Sequence, residues 1–212
     1  MKIVKEKKKI TKTQQFLVSK ASKEDSSGIH KILLKNLIEI KDVNSLTPKE
    51  KNLLKEHGFL RKEVPESYYL GLIKDPEVDI YIAKNSSNEI IGFGTFHLNK
   101  ANIRKFRSSV DKIDADKPEN LDLLTNPEKK FIYLDQIAVD PKFHRNGIGK
   151  LIFQNAQQNF TKPIVSFIVK TPLDNIASAK WHEKVGFMKI VTVKGEYKDT
   201  KFKWWVYLFD KH

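Results

Sequence analysis

The chain has 212 residues, no cysteine, and 39 basic against 26 acidic residues, for a formal net charge of +13. A length of this order holds one domain with room for a tail or an insert, and the missing cysteines exclude a disulfide framework, a thiolate-ligated metal and a cysteine nucleophile. Apolar residues are 40% of the chain and charged residues 31%, a soluble globular composition with no apolar run near the roughly 20 residues of a membrane span; the cytoplasm is the expected compartment.

The first dozen residues hold Lys2, Lys5, Lys7, Lys8, Lys9 and Lys12 against Glu6. Like charges this close repel and stay solvated. Residues 1–13 are therefore expected to form a flexible basic tail, with contact to nucleic acid or lipid as the alternative. Residues 14–21 read as a first strand. Ser22 ahead of Glu24 and Asp25 suits a helix cap, and Ile29, Ile32, Leu33, Leu37 and Ile40 follow at helical spacing. Pro48 opens a second helix that Gly58 ends; Pro65 opens a third, carrying Tyr68, Tyr69, Leu72 and Ile73 up to Pro76. Val78–Lys84 and residues 89–98 alternate as the arms of a hairpin around turn residues 85–88. Gly92 and Gly94 inside the second arm mark either a substrate lying over that strand or close packing beneath the first helices.

Residues 99–130 are rich in charge, poor in apolar side chains and carry Pro118 and Pro127. They read as an insert, with a short helix expected near residues 101–110. Residues 131–139, FIYLDQIAV, are apolar on both alternating faces and read as a central buried strand. A helix follows over residues 147–160, then a strand over 163–169 and a helix over 175–185 closed by Gly186. Residues 187–194 and 202–209 form a last strand pair, whose apolar edge is expected to offer pairing to a second copy in a homodimer.

The most informative stretch is DPKFHRNGIGK, residues 140–150, between a buried strand and a helix. Such a turn leaves backbone N–H groups unpaired and pointing outward, and with the helix dipole they make an anion site. Gly147 and Gly149 let a phosphate approach the backbone, and Lys142, His144, Arg145 and Lys150 add positive charge. A Walker loop is absent, and two of the three glycines of a dinucleotide fingerprint are present. The turn points to a pyrophosphate, or else to glycines needed for packing.

Two stretches together resemble the GNAT-type acyl-CoA N-acyltransferases. IAVDPKFHRNGIGKLIF matches the family's Arg/Gln-x-x-Gly-x-Gly/Ala after a strand, and NIASAKWHEKVGF, residues 175–187, matches its Asn-x-x-Ala-x-x-x-Tyr-Glu-Lys-x-Gly-Phe. The order of elements from residue 14 to 209 fits as well. The resemblance implies a mixed α/β fold: one GNAT acyltransferase domain over residues 14–210, with the insert at 99–130. Its twisted, mostly antiparallel sheet of six or seven strands would be flanked by four or five helices, with acetyl-CoA at a splayed strand pair. It implies that Arg145, Asn146, Gly147, Ile148, Gly149 and Lys150 cradle the pyrophosphate of coenzyme A. It also implies that the backbone of Ile137, Ala138 and Val139 pairs with the pantetheine arm, and that an N–H near Val139 polarises the thioester carbonyl. Asn175 would contact the pantetheine or a nearby backbone group, with Ser178 also at the cofactor.

Two departures from the family pattern matter. His144 stands where Arg or Gln is usual; imidazole still hydrogen-bonds phosphate, and Arg145 and Lys142 supply charge. His182 stands where the family has the Tyr that serves as general acid toward the departing thiolate. It is either a competent acid or a packing replacement, with water protonating the thiolate and Tyr197 or Tyr207 as spatial substitutes. Asp135, with Gln136 one of two polar residues in its strand, is the candidate general base, expected on the face of Ile137 and Val139, or else a structural carboxylate. His97 is a second candidate base or a structural histidine. Tyr68 and Tyr69 can line an acceptor pocket. His30, His57 and His212 show no metal spacing, and no metal is expected.

The function expected from the resemblance is acetyl transfer from acetyl-CoA to a primary amine of a small molecule or protein, by direct attack in a ternary complex. The alternatives are a coenzyme-A-binding module that has lost catalysis and a basic nucleic-acid-binding protein. The basic surface mildly favours an acidic or phosphate-bearing acceptor over a polycation. Lysine makes up that surface almost alone, since the arginines number four: Arg61, Arg104, Arg107 and Arg145.

Overall fold

A computed structural model describes residues 16–38, 45–61, 63–98, 116–126, 128–197 and 200–210. The basic tail and the helix expected near residues 101–110 lie outside the described residues. Strands β1 (Leu17–Lys20), β2 (Val78–Lys84), β3 (Ile90–His97), β4 (Ile132–Val139), β5 (Ile164–Thr171), β6 (Met188–Tyr197) and β7 (Thr200–Phe209) form one sheet in the order β1-β2-β3-β4-β5-β7-β6. Every neighbouring pair is antiparallel except β4 and β5, which run parallel. The helices are α1 (Ser26–Asn36), α2 (Pro48–His57), α3 (Glu66–Lys74), the single turn α4 (Asp122–Thr125), α5 (Ile148–Gln157) and α6 (Ile176–Lys184).

The helix boundaries follow local chemistry. Thr47 accepts from the Glu50 N–H while its own N–H donates to the Glu50 carboxylate at 2.8 Å, a reciprocal cap that starts α2 at Pro48. Gly58, at φ +77°, ends it. In α5 the buried residues are Ile148, Ile152, Phe153 and Ala156, a single helical face laid on the sheet against Ile91, Phe96 and Leu134. On the opposite face, Ile29, Ile32 and Leu33 of α1 and Tyr69 of α3 pack on Ile80, Ile82 and Phe93. The sheet is therefore covered on both sides, which is why its central strands carry few exposed positions.

The glycines of β3 serve α5 rather than a substrate or the first helices. A Cβ on Gly92 would stand 3.0 Å from the Ala138 carbonyl oxygen and 3.2 Å from Ile152, and one on Gly94 would stand 3.1 Å from Ile152. Their absence lets α5 settle close to the strand.

The end of the insert is part of the core. Leu124 in α4 is fully buried against Val165, Val191 and Val206. Asp116 accepts from the Thr192 N–H at 2.6 Å, and the Asn120 amide donates to the Ile190 carbonyl. These bonds cover part of the outer edge of β6. β7, expected to be an open edge, lies between β5 and β6 and has a strand on each side. That removes the strand-pairing route to a homodimer proposed for the apolar FKWWVYLF segment: its hydrophobicity reflects an interior position.

Candidate active site

β4 and β5 stay paired over three rungs, Ile132–Ile164, Tyr133–Val165 and Leu134–Ser166, and then part. The Ser166 hydroxyl donates to the Leu134 carbonyl at 3.2 Å and closes the last rung. Beyond it, residues 135–139 of β4 have no strand partner on that side among the described residues. The gap is a cleft of about 660 Å³, floored by β4 and β5 and walled by α6, the turn after β4 and the segment after α2.

The ladder shows which backbone groups face this cleft. The Asp140 N–H donates to the Ile91 carbonyl at 2.8 Å, which makes Gly92–Val139 a non-hydrogen-bonded pair. The N–H and C=O of Val139 therefore point away from β3, toward the open edge, and by alternation so do those of Ile137. Those of Ala138 turn back to Phe93 on β3. Ala138 was expected to bind through its backbone with its two neighbours; the two-residue repeat of the ladder leaves it as wall alone.

A bulge in β4 changes the placement of Asp135. Thr95 pairs with Gln136 and Phe96 with Leu134, so Asp135 is an extra residue. Ile137 and Val139 pack with the α5 cluster, whereas Ala138 belongs to the α1–α3 cluster and Gln136 accepts from the Tyr69 hydroxyl at 2.8 Å. Asp135 is on this second side, with its carboxylate 3.5 Å from His97 Nε2. Simple alternation puts it on the face of Ile137 and Val139, and the bulge reverses that. His97 is buried and stacks on the Tyr133 ring at 6.0 Å. Burial, followed by the charge of Asp135 and its hydrogen bond, pushes the Tyr133 phenol well above its ordinary pKa, while the Arg61 guanidinium acts the other way. Tyr133, Asp135, His97 and Arg61 thus form one cluster at the end of the open edge where the two strands separate.

At the other end lies the glycine-rich turn. Arg145 and Gly147 both have left-handed backbones, at φ +66° and +77°. Such alternation aims successive N–H groups into one concavity, and the first N–H groups of the ten-residue α5 extend it. A Cβ on Gly147 would meet nothing within 4 Å, so the turn opens to solvent there. Arg145, Asn146 and Lys150 are exposed around it. Gly149 is different: its missing Cβ leaves room for Trp181, whose Nε1 would be 3.0 Å away. The turn is braced from below. Asp140 accepts from the Lys142 N–H at 3.0 Å and pairs with Lys35 of α1; burial opposes its charge, but these partners hold its carboxyl below the usual range.

His144 does not extend freely to the concavity. Its Nε2–H donates to the Val139 carbonyl at 2.9 Å, beside Asn36 Nδ2 at 3.2 Å. The imidazole ties the turn to the end of β4, and its ring lies 5.7 Å from that of His57 at the end of α2. Asn175 is likewise committed to backbone. Its amide donates to the Phe59 carbonyl at 2.9 Å and its carbonyl accepts from the Ser178 N–H at 3.3 Å, so it caps α6 and holds the segment after α2 across the cleft.

His182 is buried, and its Nδ1–H donates to the Ser178 carbonyl at 2.8 Å. That bond leaves Nε2 as a bare lone pair, with no hydrogen-bond partner among the described residues. Burial drives its pKa down to about 4, against the raising effect of the Ser178 bond. As placed, the ring presents an acceptor and no acidic proton, which accords with the packing alternative left open by the sequence and not with the acid. Tyr207 donates to Glu183 at 2.9 Å, and burial with that bond raises its pKa, so it too holds its proton. No sequence motif surrounds Asn36, His57, Arg61, Tyr133 and Trp204, all of which line the cleft. The one signal was the scarcity of arginine. No group of described residues can hold a metal ion, and no helix among them is long and apolar enough to cross a membrane.

A parted parallel strand pair with a backbone concavity at its end suits a ligand that joins an anionic group to an amide-bearing arm. Residues 47–187 match the model of the acetyltransferase (GNAT) family, and the chain belongs to that family. No curated protein matches the sequence. Among solved structures, the chain is similar to an N-acetyltransferase of Staphylococcus aureus Mu50 at 17% identity, over 92% of this chain and 98% of that one, with a TM-score of 0.55. It is similar to the paia N-acetyltransferase of Thermoplasma acidophilum in complex with coenzyme A, at 13% identity over 90% and 97%, TM-score 0.54. NAA60 of Arabidopsis thaliana in complex with acetyl-CoA gives 11% identity over 92% and 98%, TM-score 0.52. These likenesses establish the shared fold. Acetyl-CoA is the cofactor of the family, and the chain's features fit it: an unpaired strand edge for an amide-bearing arm and a backbone concavity with a cationic rim for a pyrophosphate.

Proposed function

We propose that the protein transfers the acetyl group of acetyl-CoA to the neutral primary amine of an acceptor by direct attack within a ternary complex. The observation that carries this reading is the position of Asp135. The bulge brings its carboxylate to the place where β4 and β5 separate, on the side of α1 and α3, while Val139 turns its N–H to the open edge. Acetyl-CoA supplies an activated acyl carbon; everything else is positioning by this chain. The N–H groups of the Arg145–Gly147 turn and of the start of α5 hold the pyrophosphate, with Lys150 at the rim. Ile137 and Val139 receive the pantetheine amides at the strand edge. The Ile137 N–H, which faces the open edge two residues from Asp135, is directed at the carbonyl oxygen on which charge develops, since Val139 lies about 13 Å along the strand from that carboxylate. Asp135, beside His97, takes the proton of the attacking amine. No acid is required from His182: a thiol of this type has a pKa near 8.5, so the thiolate departs as an anion and takes its proton from water.

The test has two stages. Isothermal titration with acetyl-CoA is expected to give saturable 1:1 binding in the micromolar range, and an amine panel read by released thiol is expected to give turnover. Asp135→Asn should then lower kcat by about 10²–10³ at unchanged acetyl-CoA affinity, the size of a lost general base. Tight binding with no turnover of any amine supports the second reading, a coenzyme-A-binding module.

A further inference from the structure

The cleft has a cation at each end. Among the described residues the arginines are Arg61 and Arg145, in a chain whose basic residues are otherwise almost all lysine, and both line this cleft. Arg145 belongs to the turn that suits a pyrophosphate. Arg61 sits at the opposite end, near Tyr133, six residues of extended strand from Val139, or roughly 20 Å at strand rise. No phosphate of a cofactor seated in the turn is needed to explain a second arginine there. The guanidinium lies 4.4 Å over the buried Phe202 ring, which is itself stacked on Trp204 at 5.4 Å and 14°. Stacking on a fixed ring orients a guanidinium plane and directs its N–H edge sideways, the arrangement that reads a planar carboxylate bidentately. Arg61, Tyr133 and Asp135 all line the cleft, so a cation and an anion face the same space. Tyr133 and Phe167, edge to face at 5.7 Å, supply an aromatic surface beside it.

We infer that the acceptor is an α-amino acid or a close analogue: an amine with a carboxylate a few bonds away and an apolar side chain. Its amine lies at Asp135, its carboxylate on Arg61 and its side chain against the aromatic wall. The inference rests on the acetyltransferase reading of this cleft and deepens it. A net charge of +13 repels a polyamine, whereas a zwitterionic amino acid carries no net charge to be repelled. The two charges also disfavour the amino terminus of a long polypeptide, which brings a neutral amide to the guanidinium of Arg61 in place of a carboxylate.

Matched probes test it on the unmodified protein. With acetyl-CoA fixed, L-phenylalanine is compared with phenethylamine and with L-phenylalanine methyl ester, and L-leucine with isopentylamine. The expected kcat/KM for the free carboxylates is about 30-fold above that of the amines and the ester, the order of one lost charge-assisted contact. Arg61→Met should bring the carboxylates down to the level of the amines, and Arg61→Lys should restore part of the gap. Equal turnover of carboxylates and amines overturns the inference and leaves the acetyltransferase reading standing. If no amine turns over, that reading fails, and titration of the same pairs into the protein with coenzyme A decides the acceptor question separately. Binding of L-phenylalanine with none of phenethylamine then supports the inference, and equal or absent binding overturns it.

Discussion

His182 shows how one hydrogen bond redirects a residue's chemistry. With its proton on Nδ1 and given to Ser178, the ring is a buried neutral acceptor with a pKa near 4. In the unfolded chain the same group takes a proton near pH 6.5. Between those values the unfolded state binds more protons, so stability is at its full value above about pH 6.5 and falls as the pH drops toward 4. The total loss is about 3 kcal/mol. Chemical denaturation at intervals from pH 7.5 to 4 should show this decline, and His182→Phe should flatten it. The same variant separates packing from catalysis. A lost general acid costs 10²–10⁴ in rate, whereas the expected loss of kcat for His182→Phe stays under about tenfold. A loss comparable to that of Asp135→Asn would return the acid role to His182. The sequence placed His182 correctly in its motif, but its tautomer depends on which carbonyl lies one helical turn back. Asp135 was legible as the polar residue of an apolar strand, and its face was not, because a bulge shifts the alternation without changing the residue pattern that announces a strand.

At the scale of elements, the cleft depends on how closely α5 lies on β3 and how the turn before it is bent. These two demands fall on different glycines and are separable by experiment. Gly92→Ala places a Cβ 3.0 Å from a backbone oxygen and against Ile152. Overpacking of this kind costs about 1–3 kcal/mol, so the melting temperature should fall by several degrees. Gly147→Ala meets no neighbour but must hold φ +77°, a strain of about 1–2 kcal/mol. Its melting temperature should change less, while the acetyl-CoA dissociation constant rises about tenfold or more, because the strained turn relaxes away from the shape that converges its N–H groups. If both variants lost stability and affinity in parallel, turn and packing would be one cooperative unit. The elements themselves were readable where one period ran unbroken, as in α5 and β2, and where Thr47, Pro48 and Gly58 bounded a helix. The order in which β7 inserts between β5 and β6, and the anchoring of the insert through Leu124 and Asp116, follow from contacts distant in sequence. Neither leaves a local period to read.

Over the whole molecule, charge separates the reading of the cleft from the reading of the surface. A +13 chain attracts any polyanion, and exposed lysines act through the field that salt screens, over about 30 Å at 0.01 M and 10 Å at 0.1 M. Nucleic acid held by such a surface must lose affinity steeply with salt, by about a thousandfold or more between 50 and 200 mM where six or more phosphates are neutralised. In the proposed mode of binding, acetyl-CoA would be held in two ways: by the exposed Arg145 and Lys150, which salt weakens, and by backbone N–H groups whose direction is fixed by the Arg145 and Gly147 dihedrals, which salt does not remove. Its dissociation constant should therefore rise by less than about tenfold from 0.02 to 0.2 M sodium chloride and then level off, since the remaining contacts are made at short range. Arg145→Gln should weaken binding at low salt and reduce the slope, leaving the plateau in place. Titrations of acetyl-CoA and of a short DNA duplex across the same salt series measure both responses on one sample. Equal slopes would mean that the anion is held by the general field of the lysines, and the turn between β4 and α5 would lose its claim to be a built site.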